Sequence, residues 1–153
     1  MAKAADEWIR TTGKKVILMA FDTGREDDLF ACAAVKDLMQ YSENAEIVAH
    51  HDCTEIPAAY GRCEKIISAR FHGIVLALRM GIPVYPLIFR EKARNLLQDI
   101  RFPYPAGELD RIDEVSLVAF LSEPKRAYRL EEDIQVLAKE HTRLLRQAIC
   151  GWK

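Results

Sequence analysis

Residues 66–84 read Ile-Ile-Ser-Ala-Arg-Phe-His-Gly-Ile-Val-Leu-Ala-Leu-Arg-Met-Gly-Ile-Pro-Val, an apolar run that one short polar sequence interrupts. The apolar part before the interruption is short and rich in Ile, which favours a buried strand, whereas the part after it is too long for a strand. Gly81 and Pro83 follow it in the way that commonly ends a helix. The sequence therefore predicts a buried strand, a turn, a buried helix and then another strand.

The turn within this run contains Arg70, His72 and Gly73, which suit a ligand that carries negative charge. The first backbone N–H groups of a helix have no intrahelical partners, and a guanidinium group pairs well with phosphate or carboxylate. A glycine lets a ligand approach the backbone closely. We therefore expect an anion site here, although the same residues also fit a solvated Arg70, a helix-capping His72 and a packing role for Gly73.

Strands and helices alternate along most of the chain. The predicted strands lie at 15–21, 46–50, 65–68 and 84–89, and the predicted helices at 3–10, 26–39, 55–63, 72–80 and 91–100. This spacing is typical of an α/β fold, a Rossmann-like, doubly wound and mostly parallel sheet. Beyond residues 101–105 the alternation stops, so we expect a complete sheet by that point, a turn at 103–107 and two closing helices at 114–121 and 130–148. No boundary between domains is visible, which predicts one domain over residues 1–153.

In such sheets ligands bind beyond the carboxyl ends of the strands. The loops at 22–25, 50–52, 70–73 and 89–92 should therefore share one rim. Asp22 and Arg25 are candidate substrate-binding residues on this rim, without an assigned chemistry. We expect the acidic residues at 26–28 to act mainly as partners of the helix dipole. The string from His50 to Cys53 contains metal-ligand types, but neighbours on an extended segment point to opposite sides, so no metal site is predicted.

Composition narrows the class of protein. Half of the 153 residues are hydrophobic, 29% are charged and the net charge is −1, which gives no electrostatic argument for nucleic-acid binding. No apolar run is long enough to span a membrane, and Met1 to Thr12 does not resemble a signal peptide, so we expect a cytoplasmic protein. The four cysteines form no C-x-x-C pair and are interpreted as reduced thiols. No cofactor is predicted.

Several features together resemble the signature of the polysaccharide pyruvyl transferase family. They are the run from Ser68 to Gly73, the apolar helix after it, Gly-Ile-Pro at 81–83, the next strand, and Arg-Glu-Lys at 90–92. The resemblance covers residues 14–103 and implies the C-terminal, donor-binding half of a two-lobed protein of the GT-B type, without the N-terminal lobe. It implies phosphoenolpyruvate, or another phosphorylated small molecule, as the donor. The acceptor would be a saccharide hydroxyl held by the missing lobe, so we expect this half alone to bind donor at most.

The resemblance also implies roles for individual residues. Arg70 and His72 match the family's donor-binding arginine and histidine, and Lys92 matches a lysine after the next strand. Phe71 and Gly73 lie in the same motif and are further substrate-binding candidates. An enol phosphate must be protonated at its methylene carbon before an alcohol can attack, and imidazolium is a suitable acid near neutral pH. We therefore assign His72 as the acid and expect Arg70 and Lys92 to bind the anion.

Two other functions fit the same sequence. The first is a nucleotide-sugar-binding half of a GT-B glycosyltransferase, for which Glu91 is the best-placed acid for a ribose hydroxyl. The second is a non-catalytic Rossmann-like interaction module, with an exposed aromatic cluster of Phe102 and Tyr104, or the closing helices, as the contact surface. A nucleotide sugar would also place an anion at the helix start, but Lys92 beside Glu91 fits a compact anion as well or better. A pure contact role explains Arg70 and His72 at a helix start poorly.

Overall fold

A computed structural model describes residues 1–22, 27–49 and 55–124, and an α/β fold is found there. The helices are α1 (Ala2–Thr12), α2 (Asp28–Asp37), α3 (Glu55–Gly61), α4 (Phe71–Met80), α5 (Glu91–Asp99) and α6 (Glu114–Ser122), with a 3₁₀ turn at Ser42–Asn44. The strands are β1 (Val16–Ala20), β2 (Ala45–Ala49), β3 (Ile66–Ser68), β4 (Val84–Ile88) and β5 (Gly107–Glu108). Each predicted element within these residues is confirmed, while the helix predicted at 130–148 lies outside the described residues.

The hydrogen-bonded strand pairs among the described residues are all parallel. β1 pairs with β2, and β3 pairs with β4, which pairs in turn with β5, so that the described strands form a two-stranded and a three-stranded sheet. β5 was not predicted, and the expectation that the sheet is complete by residues 101–105 is wrong. A two-residue strand carries no periodicity, and the Pro- and Gly-containing sequence around it favours a turn.

Helices cover both faces of the strands, because successive strand residues point in opposite directions. Val84 of β4 packs into a core with α3, α4 and α5, whereas its neighbour Tyr85 packs with α1 and α6. On β1, Leu18 packs towards α1 and the residues around α2, and Met19 packs towards the α3–α5 side. The doubly wound arrangement is therefore confirmed.

The ends of helices α4 and α6 are fixed in two different ways. Helix α4 ends at Gly81, whose φ of 67° is the left-handed conformation that favours glycine, as the sequence predicts. At the end of α6, Lys65 Nζ donates to the carbonyl oxygens of Phe120, Leu121 and Glu123 at 2.7, 2.5 and 2.5 Å. The positive charge of Lys65 thus lies where the helix dipole is negative.

In the described part of the chain, no helix has both the length and the apolar character needed to cross a bilayer.

Candidate functional site

A cleft of about 520 Å³ opens at the carboxyl ends of the strands. Its walls come from the end of β1, the first turn of α3, the turn between β3 and α4, and the turn between β4 and α5. The charged or ionisable side chains that line it are those of Asp22, Arg70, His72, Arg90 and Lys92. The described part of the lining therefore gathers two guanidinium groups, one ammonium group and one imidazole against one carboxylate.

Two helices start at this cleft, each directly after a strand. Arg70 occupies the N-cap position of α4 and Arg90 that of α5, and within the described residues no side chain caps either helix. The first N–H groups of an uncapped helix carry partial positive charge and are available to an anion. The backbone and the side chains of the cleft therefore both favour a negatively charged ligand.

Arg70 is held by a carboxylate from another part of the chain. Its Nε lies 3.0 and 3.2 Å from the two carboxylate oxygens of Asp28, and its Nη2 also donates to Oδ1. Oδ2 of Asp28 accepts the backbone N–H groups of Phe21 and Asp22 as well, each at 3.0 Å. The guanidinium group is thereby fixed against the end of β1.

The ion pair changes the titration of its carboxyl group. Burial by itself raises the pKa of Asp28, but the hydrogen bond and charge of Arg70, with the backbone N–H groups of Asp22 and Phe21, outweigh burial and hold the pKa below its ordinary range. Asp28 therefore remains a carboxylate at neutral pH. The prediction that the acidic residues at 26–28 act mainly as dipole partners is incomplete for this residue.

Phe71 contacts both neighbouring ionisable candidates. The Nζ of Lys92 lies 4.0 Å from the centroid of the Phe71 ring, a cation–π contact. The ring of His72, which is exposed, meets the Phe71 ring edge-on with centroids 5.7 Å apart. The aromatic ring thus helps to place an ammonium group and an imidazole on the same wall of the cleft.

Gly73 is buried and faces the interior. A Cβ atom at this position would lie 2.4 Å from Ser68 Oγ, 2.8 Å from the Tyr60 hydroxyl and 3.3 Å from Phe21 Cζ. Burial raises the pKa of Tyr60, so its hydroxyl stays neutral and bonds to Ser68, which in turn donates to the Arg70 carbonyl at 3.2 Å. The missing side chain of Gly73 therefore lets α4 pack closely on β3, and Gly73 does not line the cleft.

Among the other residues predicted from the sequence, the structure describes Asp22 and the aromatic pair Phe102 and Tyr104. Asp22 lines the cleft, and its backbone N–H and C=O groups both bond to Asp28. Arg25, and the loop that contains His50 and Asp52, lie outside the described residues. Phe102 and Tyr104, predicted to be an exposed cluster, are both partly buried, with their rings 5.5 Å apart and Phe102 packed against the core.

Three residues of this region were not predicted as site residues. Arg90 follows β4 just as Arg70 follows β3, so this repeated position could have identified it from the sequence. Phe89 is 54% exposed at the cleft, and the guanidinium of Arg90 lies 4.9 Å from its ring centroid. Asp28 was missed because nothing in the sequence pairs it with a residue 42 positions later.

Comparison with known proteins gives one match. A family model described as polysaccharide pyruvyl transferase matches residues 2–88, which is more than half of the chain. No curated protein and no solved structure matches it. The matched range includes α1 to β4, and with them Asp22, Asp28 and the whole turn between β3 and α4.

Proposed function

Because the chain belongs to the polysaccharide pyruvyl transferase family, we propose that its cleft binds the phosphorylated donor of pyruvyl transfer, phosphoenolpyruvate. One observation carries this proposal. The starts of α4 and α5 bring Arg70, His72, Arg90 and Lys92 to a single cleft. Phosphoenolpyruvate has a phosphate and a carboxylate on adjacent groups, and a cluster of cations beside free helix N–H groups suits such a compact polyanion.

The proposed chemistry assigns a role to each ionisable group. Protonation of the donor's methylene carbon makes C2 electrophilic. A saccharide hydroxyl then adds at C2, and its proton returns to the acid. A second hydroxyl displaces the phosphate and passes its proton to it, which gives a pyruvate ketal and inorganic phosphate. His72 donates the first proton. Arg70 and Lys92, with Arg90, stabilise the negative charge of the bound donor and of the departing phosphate. The saccharide acceptor, part of a polysaccharide, would be carried by a second lobe.

The structure favours this donor over a nucleotide sugar at one point. Glu91, the sequence's best candidate for binding a ribose, does not line the cleft, and its carboxylate lies 3.5 Å from Arg94 Nε. Near the start of α5, the described lining thus contains the cations Arg90 and Lys92, which suit an anion, but no acid that could bind a ribose. The ribose-binding acid on which the nucleotide-sugar alternative depends is therefore absent from the described lining.

Calorimetric titration with phosphoenolpyruvate, and separately with a uridine diphosphate sugar, tests the donor. Wild type should bind phosphoenolpyruvate saturably, and Lys92→Ala and Arg90→Ala should each weaken binding about tenfold, the effect of one charge-assisted hydrogen bond. Arg79→Ala is the matched control, because Arg79 is an exposed cation in the last turn of α4. Tight binding of the nucleotide sugar with no binding of phosphoenolpyruvate would contradict the proposal.

The role of His72 needs a separate experiment. His72→Gln should bind phosphoenolpyruvate with nearly wild-type affinity, because the neutral amide leaves Arg70 and Lys92 in place. Release of inorganic phosphate, followed with methyl hexopyranosides as probe acceptors, should fall by a factor of about 100 or more, as expected for loss of a general acid. Phosphate release at the wild-type rate would rule out His72 as the acid.

A further inference from the structure

Asp28 connects the two sheets at the cleft without lining it. Its side chain is 16% exposed and accepts hydrogen bonds from the N–H groups of Phe21 and Asp22, which follow β1, and from the side chain of Arg70, which follows β3. β1 and β3 belong to different hydrogen-bonded sheets. One carboxylate therefore ties together two walls of the cleft that no described β-ladder joins.

We propose that Asp28 is a positioning residue for the donor: it fixes the guanidinium of Arg70 and the spacing between the end of β1 and the start of α4. This inference rests on the proposed function, because it takes the cleft as the donor site. The backbone of Arg70 is held as well, since Ser68 Oγ donates to its carbonyl oxygen at 3.2 Å. Ser68 thus holds the backbone of Arg70, and Asp28 holds its guanidinium group.

Asp27 provides the matched comparison. It is the N-cap of the same helix, its exposed side chain accepts the N–H of Phe30 at 3.1 Å, and it makes no described contact with Arg70. Asn caps helices about as well as Asp. Both Asp27→Asn and Asp28→Asn thus remove one negative charge from the start of α2. Only Asp28→Asn removes the carboxylate that is paired with the Arg70 guanidinium.

The test measures phosphoenolpyruvate affinity by calorimetry for wild type, D27N, D28N, R70M and the D28N/R70M double variant, each checked for folding by circular dichroism. D28N should bind about tenfold or more weakly, while D27N should stay within about twofold. If Asp28 acts through Arg70, the double variant should be no weaker than R70M alone. D28N with the affinity of D27N, or losses that add in the double variant, would overturn the proposal.

A spectroscopic readout separates positioning from general stability. The Nε–H signal of Arg70 in ¹⁵N-correlated NMR spectra should be slow to exchange in wild type and D27N, and should lose that protection in D28N. Asp28→Glu is a second variant in case D28N does not fold: its extra methylene should displace Arg70 and weaken binding several-fold, and wild-type affinity in this variant would overturn the proposal. If the wild-type chain keeps the protected Nε–H signal but binds no phosphoenolpyruvate, the proposed function is refuted, and the positioning role with it. If the wild-type chain binds and D28N has the same affinity as D27N, only the positioning role is refuted.

Discussion

Substitution of Gly73 by alanine probes how closely α4 must pack for the cleft to form. The new Cβ atom would lie 2.4 Å from Ser68 Oγ and 2.8 Å from the Tyr60 hydroxyl, well inside the roughly 3.5 Å at which non-bonded atoms attract. Both neighbours are buried, so neither can move away into solvent. Overpacking of this kind costs about 2–3 kcal/mol, and the better helix propensity of alanine returns at most about 1 kcal/mol. We therefore expect G73A to lower the free energy of unfolding by about 1–2 kcal/mol.

Urea unfolding followed by far-UV circular dichroism measures this change, and the m-value should stay constant. Gly61→Ala is the matched control, because a Cβ atom there has no neighbour within 4 Å. In a Ser68→Ala background the cost of G73A should fall by about half, since the nearest clashing atom is gone. A G73A variant as stable as G61A, or an unchanged cost in the Ser68→Ala background, would refute the packing argument.

Three other substitutions test the remaining contacts by urea unfolding. The pKa of Asp28 is lowered in the folded state, so its stabilising contribution is present above about pH 4 and is lost as the pH falls through the lowered pKa. The difference in unfolding free energy between wild type and D28N should therefore shrink on acidification, and a constant difference would contradict this. Lys65→Met should cost about 1–3 kcal/mol, because it leaves the carbonyl groups at the end of α6 without their donor. Lys3→Met, which breaks an exposed pair with Glu114, should change stability by less than about 1 kcal/mol, and equal effects would contradict the capping role of Lys65. Arg101 has a φ of 49°, so Arg101→Gly should raise stability by about 0.5–1 kcal/mol, and a loss would contradict this.

The order of helices and strands up to α5 could be predicted because each of these elements shows its own pattern. In residues 66–84, the change from a short Ile-rich run to a longer apolar helix, with glycine and proline at its end, indicates both elements and their boundary. The two residues of β5 carry no such pattern. They pair with Leu87 and Ile88 only because β4 is already in place.

The candidate site could be predicted in its position but not in its internal contacts. Parallel strands bring their carboxyl ends to one edge, so the turn after β3 and the turn after β4 were expected to meet. That Asp28 holds Arg70, and that Gly73 makes room for Tyr60 and Ser68, depends on how helices pack across the sheet. Such contacts between distant residues leave no local mark in one sequence.

A donor anion is expected to bind where α4 and α5 begin. A titration of the ¹⁵N-labelled chain with phosphoenolpyruvate, followed by amide chemical shifts, tests this most directly. We predict saturable shifts, largest for the backbone amides of residues 71–73 and 91–93. Shifts that cluster away from these two helix starts, or no saturable shift at all, would contradict the account.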